Sequence, residues 1–246
     1  MDISAMTSWI PIKLNTHDGG FDFPVQYADG SLGCTTFTDY GVYGWNDKVC
    51  VPNPPGGFAP SFGGWGANDG HLAVVDTANR TYYEFWKLGA TNGVPWSTNV
   101  GQIISGRLDG NGVPGTTASQ ISGLAGDILP GELDCETCLN HALNIIVPSS
   151  MNSNQVGEQA PAQKTDGGAY GAIFREGAKI RFDPNVNVDA LQASTATKAI
   201  LIALQRYGGV ITDQTSANGI SIYTALPWQP DLAGFDIVGK HLQIFY

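Results

Sequence analysis

Residues 70–88, GHLAVVDTANRTYYEFWKL, constrain the fold more than any other stretch of the chain. Two apolar runs of strand length flank the turn formers Asp76 and Asn79, which predicts a β-hairpin. Side chains alternate between faces along a strand. Leu72, Val74 and Asp76 share one face of the first strand, and Asp69, His71, Ala73 and Val75 share the other. On the second strand Tyr83 and Phe85 oppose Tyr82, Glu84 and Trp86. With Leu72, Val74, Tyr83 and Phe85 in the core, the remaining open face gathers Asp69, His71, Tyr82, Glu84 and Trp86. A four-residue loop from Asp76 to Asn79, with Asn79 left-handed, puts His71 opposite Glu84. A three-residue loop would slip the register and separate them.

One hairpin cannot bury its apolar face alone, and further strand patterns are present. PVQYA, HALNIIV (ended by Pro148), GGVITD, ISIYTAL and HLQIFY are strand candidates, and AIFREGAKIRF predicts a hairpin-like pair around Glu176 and Gly177. One helix stands out in STATKAILIALQRYGG. Ala196, Ile200, Ala203, Leu204 and Tyr207 follow helical spacing, Ser194 or Thr195 caps the start, and Gly208 supplies the stop. Charged residues are only 14% and glycines number 32, a balance that suits a turn-rich extracellular β protein better than a cytosolic α/β enzyme. The expected architecture is all-β: a single domain over 1–246, a jelly-roll-like β-sandwich with one packed α-helix.

The net charge of −10, with 12 scattered Lys and Arg, argues against nucleic acid and against anionic membrane surfaces as partners. No apolar run approaches the roughly 18 residues of a membrane span, so no membrane insertion is expected. The start, MDISAMTSWIPIKL, lacks the basic region and long apolar core of a signal peptide; a secreted form is then a chain whose signal has been removed. Four cysteines allow three pairings, and proximity favours Cys34 with Cys50 and Cys135 with Cys138. Disulfides imply an oxidising compartment.

The stretch DCETCLNHAL offers Cys135, Cys138 and His141 as three zinc ligands, but a fourth at a recognisable spacing is missing. A thioredoxin-like redox pair needs a helix after the second cysteine, and a strand pattern follows instead. The two cysteines therefore suit a small staple, or partners for Cys34 and Cys50. There is no G-x-S-x-G elbow and no phosphate-binding loop, so neither a cofactor nor a metal is expected.

Two carboxylates, a histidine and two aromatics on one open sheet face match what a sugar-processing groove needs. One carboxyl protonates the leaving oxygen, and the other acts as nucleophile or activates water. Asp69 and Glu84 are the expected catalytic pair, with His71 and His141 orienting groups or moving protons. Tyr82 and Trp86 are the expected sugar platforms, with Asp213 a further substrate contact. His141 alternates with Leu143 and Ile145 and faces either the groove or the core. The expected partner is a polysaccharide or oligosaccharide, and the expected activity glycoside hydrolysis. Three alternatives stand beside it: a polysaccharide lyase using His71 or a tyrosine as base, a non-catalytic carbohydrate-binding domain, and a self-assembling extracellular protein.

The segments VPNPPGGFAP, NDGHLAVVD, YYEFW, LPGELDCETCLNHAL and ALQRYGGVITD together resemble a widespread group of secreted bacterial proteins with DgH and HAL motifs. The resemblance runs from about Pro24 to Leu226. It implies a secreted β-sandwich with groove positions at Asp69, His71, Glu84, His141 and Asp213. The group's pattern does not require cysteines before HAL, so its match falls on His141. Its closing motif often continues as "aDnG", whereas this chain has Asp213-Gln214-Thr215.

Overall fold

A computed structural model describes residues 11–16, 22–39, 48–61, 69–88, 99–110, 112–153 and 158–245. The N-terminal MDISAMTSWI, the aromatic stretch after Asp39 within the Cys34–Cys50 span, and NGVPW lie outside the described residues. In chain order the strands are β1 (Ile12–Asn15), β2 (Val25–Ala28), β3 (Cys34–Asp39), β4 (Lys48–Pro52), β5 (Leu72–Asp76), β6 (Thr81–Trp86) and β7 (Asn99–Val100). They continue with β8 (Gln102–Arg107), β9 (Leu143–Pro148), β10 (Lys179–Phe182), β11 (Gly209–Thr215), β12 (Ile220–Tyr223) and β13 (Leu242–Phe245). The one long helix among the described residues is α1 (Thr195–Arg206).

Three sheets form: β1-β12-β9-β11-β10-β13, β2-β5-β6-β8 and β4-β3-β7. Strand alternation stacks them. Leu72, Val74 and Phe85 pack with Phe37, Val51 and Val100 of the three-stranded sheet. Ala73, on the reverse face of β5, packs with Phe23, Ile146 and Tyr223 and so meets the six-stranded sheet. Leu143, Ile145 and Val147, on the far face of β9, bury against Ile200, Leu201 and Leu204 of α1. Each such fully buried aliphatic contributes about 1.5–3 kcal/mol. The mainly β class, the sandwich character and the single packed helix are thus as the sequence predicts. The pairing is mixed: β9 runs parallel to β11 and antiparallel to β12.

Local chemistry explains the elements. The Ser194 hydroxyl accepts from the Thr197 N–H at 3.2 Å and caps α1, and Gly208, at φ 75°, ends it. Both proximal disulfides form, Cys34–Cys50 and Cys135–Cys138. No helix of the described residues is long and apolar enough to cross a membrane.

Two local expectations need correction. The hairpin loop has four residues but spans Thr77 to Arg80, because Asp76 pairs with Thr81. The Asp76 carboxylate accepts from the Ala78 and Asn79 N–H groups and from the Asn79 side chain, and the positive φ falls on Arg80. Glu84 therefore pairs with Ala73 rather than His71. The shift is two residues, so the faces are preserved. AIFREGAKIRF is not a hairpin. Phe174 bridges Asn152, the chain turns through Gly177 at φ 84°, and only Lys179–Phe182 is a strand.

Candidate active site

The polar face of the β5–β6 hairpin is not open to solvent. The 114–124 segment and the six-stranded sheet cover it, which leaves Glu84 with no exposed surface, His71 3% exposed and Tyr82 4%. Glu84 is correspondingly saturated. It accepts from the Thr116, Gly123 and Leu124 N–H groups at 2.9, 3.2 and 3.1 Å and from the Ser122 hydroxyl. Burial raises its pKa against these stabilising bonds. The assignment of Glu84 to a catalytic pair is therefore corrected. It is the internal anchor of the 116–124 loop, which buried polar satisfaction requires.

Tyr82 and His141 also leave the proposed groove. The Tyr82 hydroxyl donates to the Pro114 carbonyl at 2.8 Å, and burial pushes its pKa up to about 12. Its ring lines a separate recess with Tyr27, Leu108 and Leu124. His141 precedes β9 at the end remote from Ile146. Its Nε2 lies 3.1 Å from Glu132 Oε2, and its Nδ1 meets the Ala142 carbonyl at 2.9 Å. Burial disfavours the charged ring, but Glu132 and the carbonyl outweigh it and raise the pKa. This is an ion pair beside the Cys135–Cys138 turn, a structural role.

Four of the expected residues do converge. Asp69, His71, Trp86 and Asp213 line one recess of about 280 Å³, joined by Thr116, Ala118, Lys164, Asp166 and Gln214. A second recess, of about 340 Å³, is lined by Lys13, Asn15, Ser216 and Tyr223 and shares Asp69, Asp213 and Gln214 with the first. The two hollows therefore adjoin at Asp69, Asp213 and Gln214, which stand in the wall of both.

Each carboxylate reaches the groove for a local reason. Asp69 sits just before β5, where its Oδ1 accepts from Trp86 Nε1 at 3.2 Å. Gly70, at φ 56°, allows the close approach: a Cβ there would lie 2.9 Å from the Leu88 carbonyl oxygen. Asp213 depends on a β-bulge. In strict alternation it would share the face of Ile211, which packs against α1. The register shifts between Ile211 and Asp213, so Asp213 pairs with Ile146 and turns toward the other sheet.

Asp213 is held closely on both carboxylate oxygens. Asp213 Oδ2 accepts from the Tyr223 hydroxyl at 3.0 Å and the Ala118 N–H at 3.3 Å, and Oδ1 from the Gln214 N–H at 2.8 Å. Burial, reinforced by the charges of Asp166 and Asp69, still pushes its pKa up to about 7. Behind it Glu176, fully buried, is pushed up to about 9, first by burial and then by Asp166 and Asp213. His71 stacks on Phe23 at 4.7 Å, and burial pushes its pKa down.

Asp166, Lys164, Gln214, Tyr223 and Glu176 were not among the expected site residues. Asp166 and Lys164 come from an aperiodic polar loop that carries no positional signal. Tyr223 reaches the site because it shares a strand face with Ser221, which pairs with Ile146, a register the sequence does not announce. A comparison with protein-family models finds no match, and neither do searches of curated proteins and of solved structures.

Proposed function

We propose that this protein is a secreted polysaccharide-active enzyme, a glycoside hydrolase whose carboxylate pair is Asp69 and Asp213. The observation that carries the reading is that two adjoining recesses share that pair in their walls. A chain lying across both would have sugar units on either side of the acids, as cleavage within or near the end of a polymer requires.

Asp213, with a pKa of about 7, retains its proton near neutral pH and donates it to the glycosidic oxygen as the C1–O bond breaks. Asp69 acts from the hairpin side, either on the anomeric carbon or on the attacking water. The net reaction adds water across the bond. Trp86, fixed to Asp69 through its indole N–H, offers a ring face for a pyranose. His71, its pKa lowered by burial, lines the recess beside them. The two disulfides support an extracellular site of action. The lyase alternative loses Tyr223 as its base, because burial and Asp213 hold that hydroxyl well above its ordinary pKa, and keeps His71 as a candidate.

The test is release of reducing ends from a polysaccharide panel by the wild type, Asp69→Asn and Asp213→Asn. Product from the wild type and a loss of 10³-fold or so in either variant is the expected result. Full activity in both variants would remove the pair. Retention on a polysaccharide without product would favour a binding domain on the same fold.

A further inference from the structure

Among the described residues the first recess is rich in carboxyl groups and poor in cations: Asp69, Asp166 and Asp213 line it with one cationic side chain, Lys164. The backbone donors of the facing wall are already engaged, Thr116 by Glu84 and Ala118 by Asp213. His71 is 3% exposed and lines the same recess with an unpartnered Nδ1. Burial lowers the ring's pKa, so it is neutral at pH 7 and one of its two nitrogens is an acceptor. Glu176, with no exposed surface, stands close behind Asp166, and burial and then its hydrogen bond with Asp166 push its pKa up to about 9.

These acceptors discriminate between classes of sugar. A uronate carboxylate only accepts hydrogen bonds and would meet three acids. A hydroxyl both donates and accepts. An ammonium group only donates and carries the complementary charge. We propose that the groove takes glycans bearing free amino groups, glucosamine-type units whose ammonium sits against the exposed Asp166, while Asp213 keeps its proton for the glycosidic oxygen and the neutral His71 lines the same recess. This rests on the glycan-hydrolase reading and names its substrate class. A metal ion is the other cation that acids attract, but no group of three acidic, His or Cys side chains among the described residues is placed to hold one. The carboxylates instead stand on different walls, Asp69 ahead of β5, Asp213 on β11 and Asp166 on the loop before Glu176. Burial is the main cause of the raised Glu176 and Asp213 pKa values, and the charge of Asp166, which adds to both, is what a bound ammonium offsets.

Isothermal titration of the full chain with glucosamine hexamer, N-acetylglucosamine hexamer, cellohexaose and hexagalacturonate tests the proposal, alongside calcium chloride. The glucosamine hexamer is expected to bind at least about tenfold tighter than its acetylated counterpart, a preference that weakens with salt. Asp166 is exposed, so Asp166→Asn should fold normally, and the ratio between the two hexamers should fall toward one. Equal affinities in the wild type, or a preference untouched by Asp166→Asn, would overturn the proposal. So would calcium binding that is lost in Asp166→Asn without any preference for the amine. Cleavage of neutral or acetylated chains without amine preference sinks this inference alone. Failure of every oligosaccharide to bind sinks the glycan reading, and this inference with it.

Discussion

The Tyr223 hydroxyl donates to Asp213 Oδ2 across 3.0 Å, and the two residues come from strands on opposite sides of β9. The bond favours the ionised carboxylate, so it opposes the burial that raises Asp213. Tyr223→Phe removes it. The Asp213 pKa should then move above about 7, and the alkaline limb of the pH–rate profile should shift to higher pH with it. The stability cost should be about 1 kcal/mol. A limb that stays in place or moves down would argue against Asp213 as the acid.

Glu176 and Asp213 make stability fall as pH rises. Both folded pKa values lie above the ordinary 4.5 and 3.8, so the native state holds these protons more tightly than the unfolded chain. Their contribution is complete below the ordinary values. It is lost progressively up to about 7 for Asp213 and about 9 for Glu176. One such group sets a slope of at most about 1.4 kcal/mol per pH unit within its window. Urea unfolding at intervals from pH 5 to 9 should show the decline, and Glu176→Gln should flatten its upper part. A native state that gains stability toward pH 9 would contradict this account.

Replacing Glu84 should cost folding far more than chemistry. Glu84→Ala leaves the Thr116, Gly123 and Leu124 N–H groups and the Ser122 hydroxyl facing a dry interior. The expected loss is roughly 3 kcal/mol or more, measured by denaturant unfolding. Turnover per folded molecule should fall much less than in Asp213→Asn. The reverse ranking would restore Glu84 as a catalytic group.

Glu84 also shows how far the sequence could be read. Alternation placed Glu84, His71 and Trp86 on one face correctly, because the hairpin register moved by an even number of residues. It could not say that a second sheet covers that face, since alternation specifies sides and not neighbours. Asp213 shows the opposite failure. Its direction is set by a one-residue bulge that no periodicity in GGVITD announces. Asp166 enters from a loop whose position depends on tertiary contacts, including the bond from Gln214 Nε2 to its carbonyl at 2.8 Å. The helix and the proximal disulfides were legible because capping and short loop closure are local.

The two disulfides should differ in what they contribute. Cys34 and Cys50 are 16 residues apart and join the paired strands β3 and β4, while Cys135 and Cys138 are 3 apart and close a single turn. In the chain-entropy model the longer loop restrains the unfolded state more, by about 3 kcal/mol against about 2 kcal/mol. Cys34→Ser with Cys50→Ser should therefore lower the urea midpoint more than Cys135→Ser with Cys138→Ser. The second pair has a local consequence that the first lacks. The turn it closes lies between Glu132 and His141, whose ion pair is 3.1 Å long. Opening the turn should loosen that pair and return the His141 pKa toward its ordinary 6.5, from the raised value it has now. NMR titration of the imidazole in both double variants separates the effects. A His141 shift in the Cys34/Cys50 variant, or none in the Cys135/Cys138 variant, would show that the turn does not hold the pair.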